Sequence, residues 1–222
     1  MFFWKVQAPN LRDRIMAGPQ ANLKGVVTTF SAVLAYCVLY VSKADMYIYL
    51  YLKPHKKGLF RYVSSFISSL GRGEVLAFLL IVLCLLPVAT SKRRGLLWRG
   101  ILGLVTAGVC SLVIKVLVGR PRPSLLASGY YWPHSPTFVD EFFSTPSGHT
   151  VAAFALACVL SFYFPKWRYL LMGTALVIGL SRIFLLYHYP SDIIISALVG
   201  CVIGKWASKV KPPRFMEEHI EK

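Results

Sequence analysis

Carboxylates are scarce in this chain: nine Asp and Glu stand against 25 Lys and Arg. The shortage weighs against a metal-bound hydrolase. Mg²⁺ wants carboxylate oxygens and catalytic zinc wants three protein ligands. No H-E-x-x-H and no multi-Asp cluster occurs. Cysteine supplies no metal set either. Cys37, Cys84, Cys110, Cys158 and Cys201 each sit in an apolar run without a C-x-x-C pair. They read as small buried apolar side chains, with neither a disulfide framework nor a zinc site. Internal repeats, low-complexity linkers and a cleavable signal pattern behind Met1-Phe2-Phe3-Trp4-Lys5 are all missing. We therefore expect one domain over 1–222, with no metal and no cofactor.

Charge as a whole is sparse, at 15% of residues where soluble domains carry about a quarter. What fills the chain instead is apolar: 56% of residues are hydrophobic and mean hydropathy is +0.57. A membrane span needs about 20 mostly apolar residues. Such runs lie near 25–42, 74–90, 96–118, 149–165, 168–187 and 191–208. The expected fold is all-α: a polytopic membrane protein built as a six-transmembrane helix bundle. The net charge of +16 then reports sidedness rather than nucleic-acid binding. Short connections obey the positive-inside rule best. Those at 91–95 and 165–168 carry Lys92, Arg93, Arg94, Lys166 and Arg168. They set both termini inside.

The first outer loop, 43–73, is long and basic. Leu59, Phe60, Val63, Phe66, Ile67 and Leu70 recur at helical spacing against Ser64, Ser65, Ser68 and Ser69. This predicts an amphipathic helix, either lying in the membrane interface or capping the bundle. A third reading sets it beside the path by which a lipid enters from the bilayer. Tyr130, Tyr131, Trp132, Phe142 and Phe143 in the loop 124–145 fit an interfacial aromatic belt.

With this orientation, three polar stretches meet at the outer face. Lys115 ends span three and is followed by Arg120-Pro121-Arg122-Pro123. The prolines stop the helix and bring the arginines over its end, where guanidinium groups suit phosphate oxygens. Thr145-Pro146-Ser147-Gly148-His149 opens span four. Proline favours the first helical position, so the amides of Ser147 and Gly148 would face an anion. Taken on its own, this stretch reads more readily as an ordinary helix cap. In the third stretch, Ser181-Arg182 is followed by His188-Tyr189-Pro190-Ser191-Asp192. A turn at Pro190 would place Asp192 in the first turn of span six. Its carboxylate would then accept a proton from one nitrogen of His188 and leave the other as a nucleophile. A lone His–Asp pair is as often structural. A second histidine and a cation cluster on the same face favour phosphoryl transfer, with cations neutralising the phosphoryl oxygens.

Lys115-x6-Arg122-Pro123, Pro146-Ser147-Gly148-His149 and Ser181-Arg182-x5-His188-x3-Asp192 resemble the three signature motifs of the type 2 phosphatidic acid phosphatase (PAP2) superfamily. The small size and bare six-span layout resemble its bacterial membrane lipid phosphatases. The resemblance implies metal-independent dephosphorylation of a lipid phosphate or pyrophosphate: lipid A 1-phosphate, phosphatidylglycerol phosphate or undecaprenyl pyrophosphate. It implies that His188 forms a phosphohistidine, that Asp192 orients it, and that His149 protonates the leaving oxygen. Lys115, Arg122, Ser147, Gly148 and Arg182 would bind the phosphate; Arg120 is an extra cation outside the signature. The expected partners are a membrane lipid phosphate and the bilayer, with no nucleic acid and no obligate protein partner. The expected place is a bacterial inner membrane with the site on its periplasmic face. A lipid phosphotransferase using the same intermediate is the rival enzyme reading. An anion transporter or channel is the rival from another class.

Overall fold

The computed structural model describes residues 43–86, 93–128 and 136–213, together with 31, 33, 34 and 36–38. Among the described residues every regular element is helical. We number the α-helices α1 Ala44–Leu52, α2 Gly58–Leu70, α3 Gly73–Leu85, α4 Arg93–Val118, α5 Gly148–Tyr163, α6 Arg168–Phe184 and α7 Pro190–Ala207. Short 3₁₀ turns cover Lys53–His55, Pro123–Ser128, Asp140–Phe142 and Pro165–Trp167. By length and composition α4 and α7 can each cross a membrane. The pair α2 and α3 qualifies as a third span if taken together, bent by 61°. The apolar run near 25–42 lies largely outside the described residues, as do 87–92 and Tyr130, Tyr131 and Trp132.

At the centre stands α5. Every residue from Thr150 to Val159 is buried, so this helix is apolar all round because protein surrounds it. It packs against α4, α6 and α7. The α5–α7 contact is the closest, and two glycines explain it. A Cβ at Gly200 would lie 2.5 Å from the Val151 carbonyl oxygen, and one at Gly204 would lie 2.3 Å from that of Ala155. Small residues four apart let two helix backbones meet, which matters where hydrocarbon gives no hydrophobic drive.

The outer surface is inverted relative to a soluble protein. Along α4, Val105, Val109, Leu112, Val113 and Leu117 are exposed. Helix α2 shows the same inversion: its Ser64 and Ser68 are buried against α6, while Leu59, Tyr62 and Phe66 face outward. Spacing alone predicts two faces on this helix but not which one turns inward.

Basic residues stand at both ends of the bundle. At one end Arg99 donates to the Tyr163 hydroxyl at 2.8 Å and to the Val210 carbonyl at 2.9 Å, with Lys166 and Arg168 close by in sequence. At the other end α4 stops, α5 and α7 begin, and the three motifs meet.

Candidate active site

Helix α4 ends at a glycine. Gly119 takes φ +57°, and its N–H donates to the Lys115 carbonyl at 2.9 Å. Only a residue without a Cβ reaches this conformation cheaply. Lys115 is therefore on the last turn of α4, with Nζ 5.8 Å from the centre of the Phe143 ring. Beyond the turn the two arginines part company, contrary to the expectation that both lie over the helix end for phosphate. Arg120 is buried and salt-bridged to Asp192 at 2.6 Å and Asp45 at 2.8 Å. Arg122 pairs with the exposed Asp140 at 2.7 Å. Burial opposes the charge on Arg120, but Asp192 and Asp45 outweigh it and hold its pKa above the ordinary arginine value.

Helix α5 opens two residues later than proline chemistry suggests. Ser147 is the N-cap, Gly148 is the first helical residue, and Pro146 precedes both. Ser147 is fully buried, and its N–H donates to the Ser196 hydroxyl at 2.8 Å. That amide points into the bundle, so the expected pair of phosphate-facing amides reduces to the one at Gly148. Beside Gly148 lie two donors. A Cβ there would be 3.5 Å from the Ser111 hydroxyl and 3.8 Å from Lys115 Nζ. Ser111, one turn before Lys115, is buried with no hydrogen-bond partner among the described residues. It escaped the sequence reading because a serine in an apolar helix carries no distinctive signal.

Helix α7 starts as its proline predicts, with Tyr189 as N-cap, Pro190 first and Asp192 third. The Asp192 carboxylate is fully buried and heavily solvated by protein. It accepts from Tyr189 N–H at 2.8 Å, Ser144 Oγ at 2.6 Å, Arg120 Nη1 at 2.6 Å, and the Thr145 hydroxyl. It lies 3.8 Å from His188 Nδ1, too far for the direct hydrogen bond that the spacing suggests. His188 Nδ1 instead donates to the Ser144 carbonyl at 2.6 Å. The proton therefore sits on Nδ1 and the lone pair on Nε2. Asp192 reaches the ring through its hold on Ser144 and Tyr189, and through its charge.

His188 lies between two kinds of neighbour. Burial pushes its pKa below the ordinary histidine value; Asp192 pulls the other way, and Arg182 and Lys115 push down again. The imidazole is thus neutral at pH 7, the form in which nitrogen is nucleophilic. His149 is close enough to feel Arg182, His188, Lys115 and Arg72. Arg182 donates to Ser68 on α2 at 2.6 Å and stacks 4.6 Å from the Tyr187 ring, while its buried Nε lacks a partner among the described residues. Ser68 and Arg72 bring the α2–α3 corner into the site, a contribution that spacing did not reveal. Among the described residues no group of three or more His, Cys, Asp or Glu could hold a metal ion.

A family profile described as PAP2 superfamily matches residues 96–216, which contain all three motifs. The chain belongs to the PAP2 superfamily. It is 30% identical over 130 residues to a lipid A 1-phosphatase of Rhizobium johnstonii, covering 56% of this chain and 52% of that protein. It is 32% identical over 132 residues to the undecaprenyl-diphosphatase BcrC of Bacillus subtilis, covering 59% of this chain and 65% of that protein. The chain thus matches between half and two thirds of these relatives' length. Its fold resembles the crystal structure of a transmembrane PAP2 type phosphatidylglycerolphosphate phosphatase from Bacillus subtilis. That match has a TM-score of 0.63 at 20% identity and covers 89% of this chain and 97% of the other. With its apolar helices, this PAP2 chain is a helical membrane protein.

Proposed function

We propose that this PAP2 protein is a metal-independent membrane phosphatase that removes phosphate from a lipid phosphate or pyrophosphate through a phosphohistidine on His188. The observation that carries the reading is the placement of a neutral imidazole, its tautomer set by the Ser144 carbonyl, among Lys115, Arg182 and His149. The Nε2 lone pair attacks phosphorus and the P–O bond to the lipid breaks. His149 gives its proton to the departing oxygen. The phosphate brings the negative charge that lets His149 carry that proton amid cations. Water then attacks the phosphoenzyme, the P–N bond breaks, and His149 takes the proton back. Lys115, Arg182, the Gly148 amide and, after exchanging Asp140 for phosphate, Arg122 neutralise the phosphoryl oxygens. Ser111 Oγ and Arg182 Nε, which lack hydrogen-bond partners among the described residues, fit an oxyanion ligand, since buried donors are otherwise nearly always satisfied.

The six-span layout, with the first span near 25–42, goes with this function. Arg99, Lys166 and Arg168 lie at the end of the bundle away from the site, which supports a site on the periplasmic face of a bacterial inner membrane with both termini in the cytoplasm. The named relatives point to lipid A 1-phosphate, undecaprenyl pyrophosphate and phosphatidylglycerol phosphate as the substrates to compare.

The test is phosphate release by the pure protein in detergent from a panel of these lipids. His188→Ala should release none while still binding lipid. Full turnover by that variant would sink the mechanism. Phosphate appearing on an added lipid acceptor rather than in water would identify a transferase instead.

A further inference from the structure

Asp45 is the unexplained carboxylate. It belongs to the first turn of α1, far in sequence from every motif, yet it is only 3% exposed. One oxygen accepts from Arg120 Nη2 at 2.8 Å and from the Ser191 hydroxyl; the other accepts from Ser191 N–H at 3.1 Å. Arg120, 5% exposed, spreads its fork between two acids: Nη1 to Asp192 and Ser191 Oγ, Nη2 to Asp45. Its Cζ lies 4.1 Å from the centre of the Tyr189 ring, beside His188 in the chain. Its carbonyl accepts from Ser144 N–H at 3.0 Å, and Ser144 is the residue that holds His188.

A buried ion triad is expensive, and apolar packing often serves stability better. Two acids on one guanidinium need a reason, and the charge count supplies it. Asp192 paired with Arg120 alone would be a neutral unit, with little left to stabilise positive charge on the imidazole. Adding Asp45 makes the trio net negative by one.

We propose that Asp45 is a positioning residue for His188: by sharing the Arg120 guanidinium with Asp192, it leaves Asp192 a net negative charge to hold the imidazole and the cationic phosphohistidine. This rests on the reading of His188 as nucleophile. The other charged or titratable groups facing His188 are Arg182 on α6, Lys115 on α4 and His149 on α5. None is an acid, so among these described neighbours the negative charge comes from the trio. The proposal also gives the first outer loop a chemical duty, since α1 carries the balancing charge.

The experiment uses the full chain in detergent, with short-chain phosphatidic acid as probe, and reads the pH dependence of kcat/KM. Asp45→Asn keeps the shape and removes the charge. It should lower kcat on the order of tenfold, move the acid limb down by roughly one pH unit, and change KM less than about twofold. Arg120→Gln frees the charge of Asp192 and should move the limb up. Combining the two substitutions should bring the limb back toward its original pH, and Asp45→Glu should restore much of kcat. A purely structural role would lower the folded yield without these opposed shifts. An unmoved limb in folded Asp45→Asn overturns the proposal, as does a loss confined to KM. If Asp45→Asn does not fold, an unmoved or lowered limb in Arg120→Gln overturns it. Failure of the parent reading looks different, because His188→Ala would then still turn over the probe.

Discussion

Replacing Asp192 by asparagine tests the core of the site with almost no change of shape. The carboxylate takes four donors: Arg120 and the Thr145 hydroxyl on one oxygen, the Tyr189 amide and the Ser144 hydroxyl on the other. An amide keeps a single acceptor oxygen. If that oxygen faces Arg120, the NH₂ group opposes the Tyr189 N–H, a backbone donor that cannot turn away. If the amide flips, the NH₂ group opposes the guanidinium. A buried donor left without an acceptor costs about 1–3 kcal/mol, and breaking a buried ion pair about 3–5 kcal/mol. The fold should therefore lose roughly 3–5 kcal/mol, seen as a lower melting temperature in detergent. The chemistry should lose more than the fold explains. A unit charge 3.8 Å from the imidazole contributes about 4 kcal/mol at an effective dielectric constant of 20. That corresponds to a factor of about 10³ in rate. Rapid quenching of a single turnover, with labelled phosphate counted on the protein and normalised to the folded fraction, measures this step. If Asp192→Asn forms phosphoenzyme within tenfold of the unaltered rate per folded molecule, the charge of Asp192 is not what drives His188.

Further outcomes follow from the same geometry. Because burial lowers the His188 pKa, kcat/KM should hold above the ordinary histidine value of about 6.5 and fall as pH drops through the folded value below it; half-loss above pH 7 would contradict the assignment. The unfolded chain binds this proton more readily than the folded one, so the His188 contribution to stability is present above about pH 6.5 and fades on acidification. Gly148→Ala adds a methyl group with only ordinary contacts, to Ser111 and Lys115. It should fold with stability within about 0.5 kcal/mol but bind inorganic phosphate, as a competitive inhibitor, several-fold more weakly. Gly204→Leu drives a side chain into the Ala155 carbonyl and should destabilise the α5–α7 contact by at least about 1–3 kcal/mol, read from thermal unfolding in detergent. Activity should survive exhaustive EDTA treatment, and a strict need for added divalent metal would refute the cation-cluster argument.

The limits of the helices and the spacing of the motifs were legible in the sequence because both depend on local chemistry. Apolar runs end where Gly119 and Pro190 end or begin a helix, and α4 to α7 fall within a few residues of the expected spans. What stayed hidden depends on contacts between distant positions. Only Arg122 falls on a signature position, but nothing in the sequence says what Arg120 does; the fold shows Arg120 buried between acids and Arg122 on an exposed aspartate. The Ser144 carbonyl has no sequence signature, because any residue there would present one. Helix α2 was readable as two-faced, but in a membrane the apolar face is the one that needs no protein, so its serines turn inward toward Arg182. The loop that reads as an accessory thus supplies Ser68 to Arg182 and Asp45 to Arg120. The arginine proposed to bind phosphate and the arginine that pairs with Asp192 each take a polar partner from this loop. Substitutions at Asp45 and Ser68 should therefore change turnover through kcat. Substitutions at Leu59 and Phe66, on the outward face of α2, should instead act on entry and so on KM.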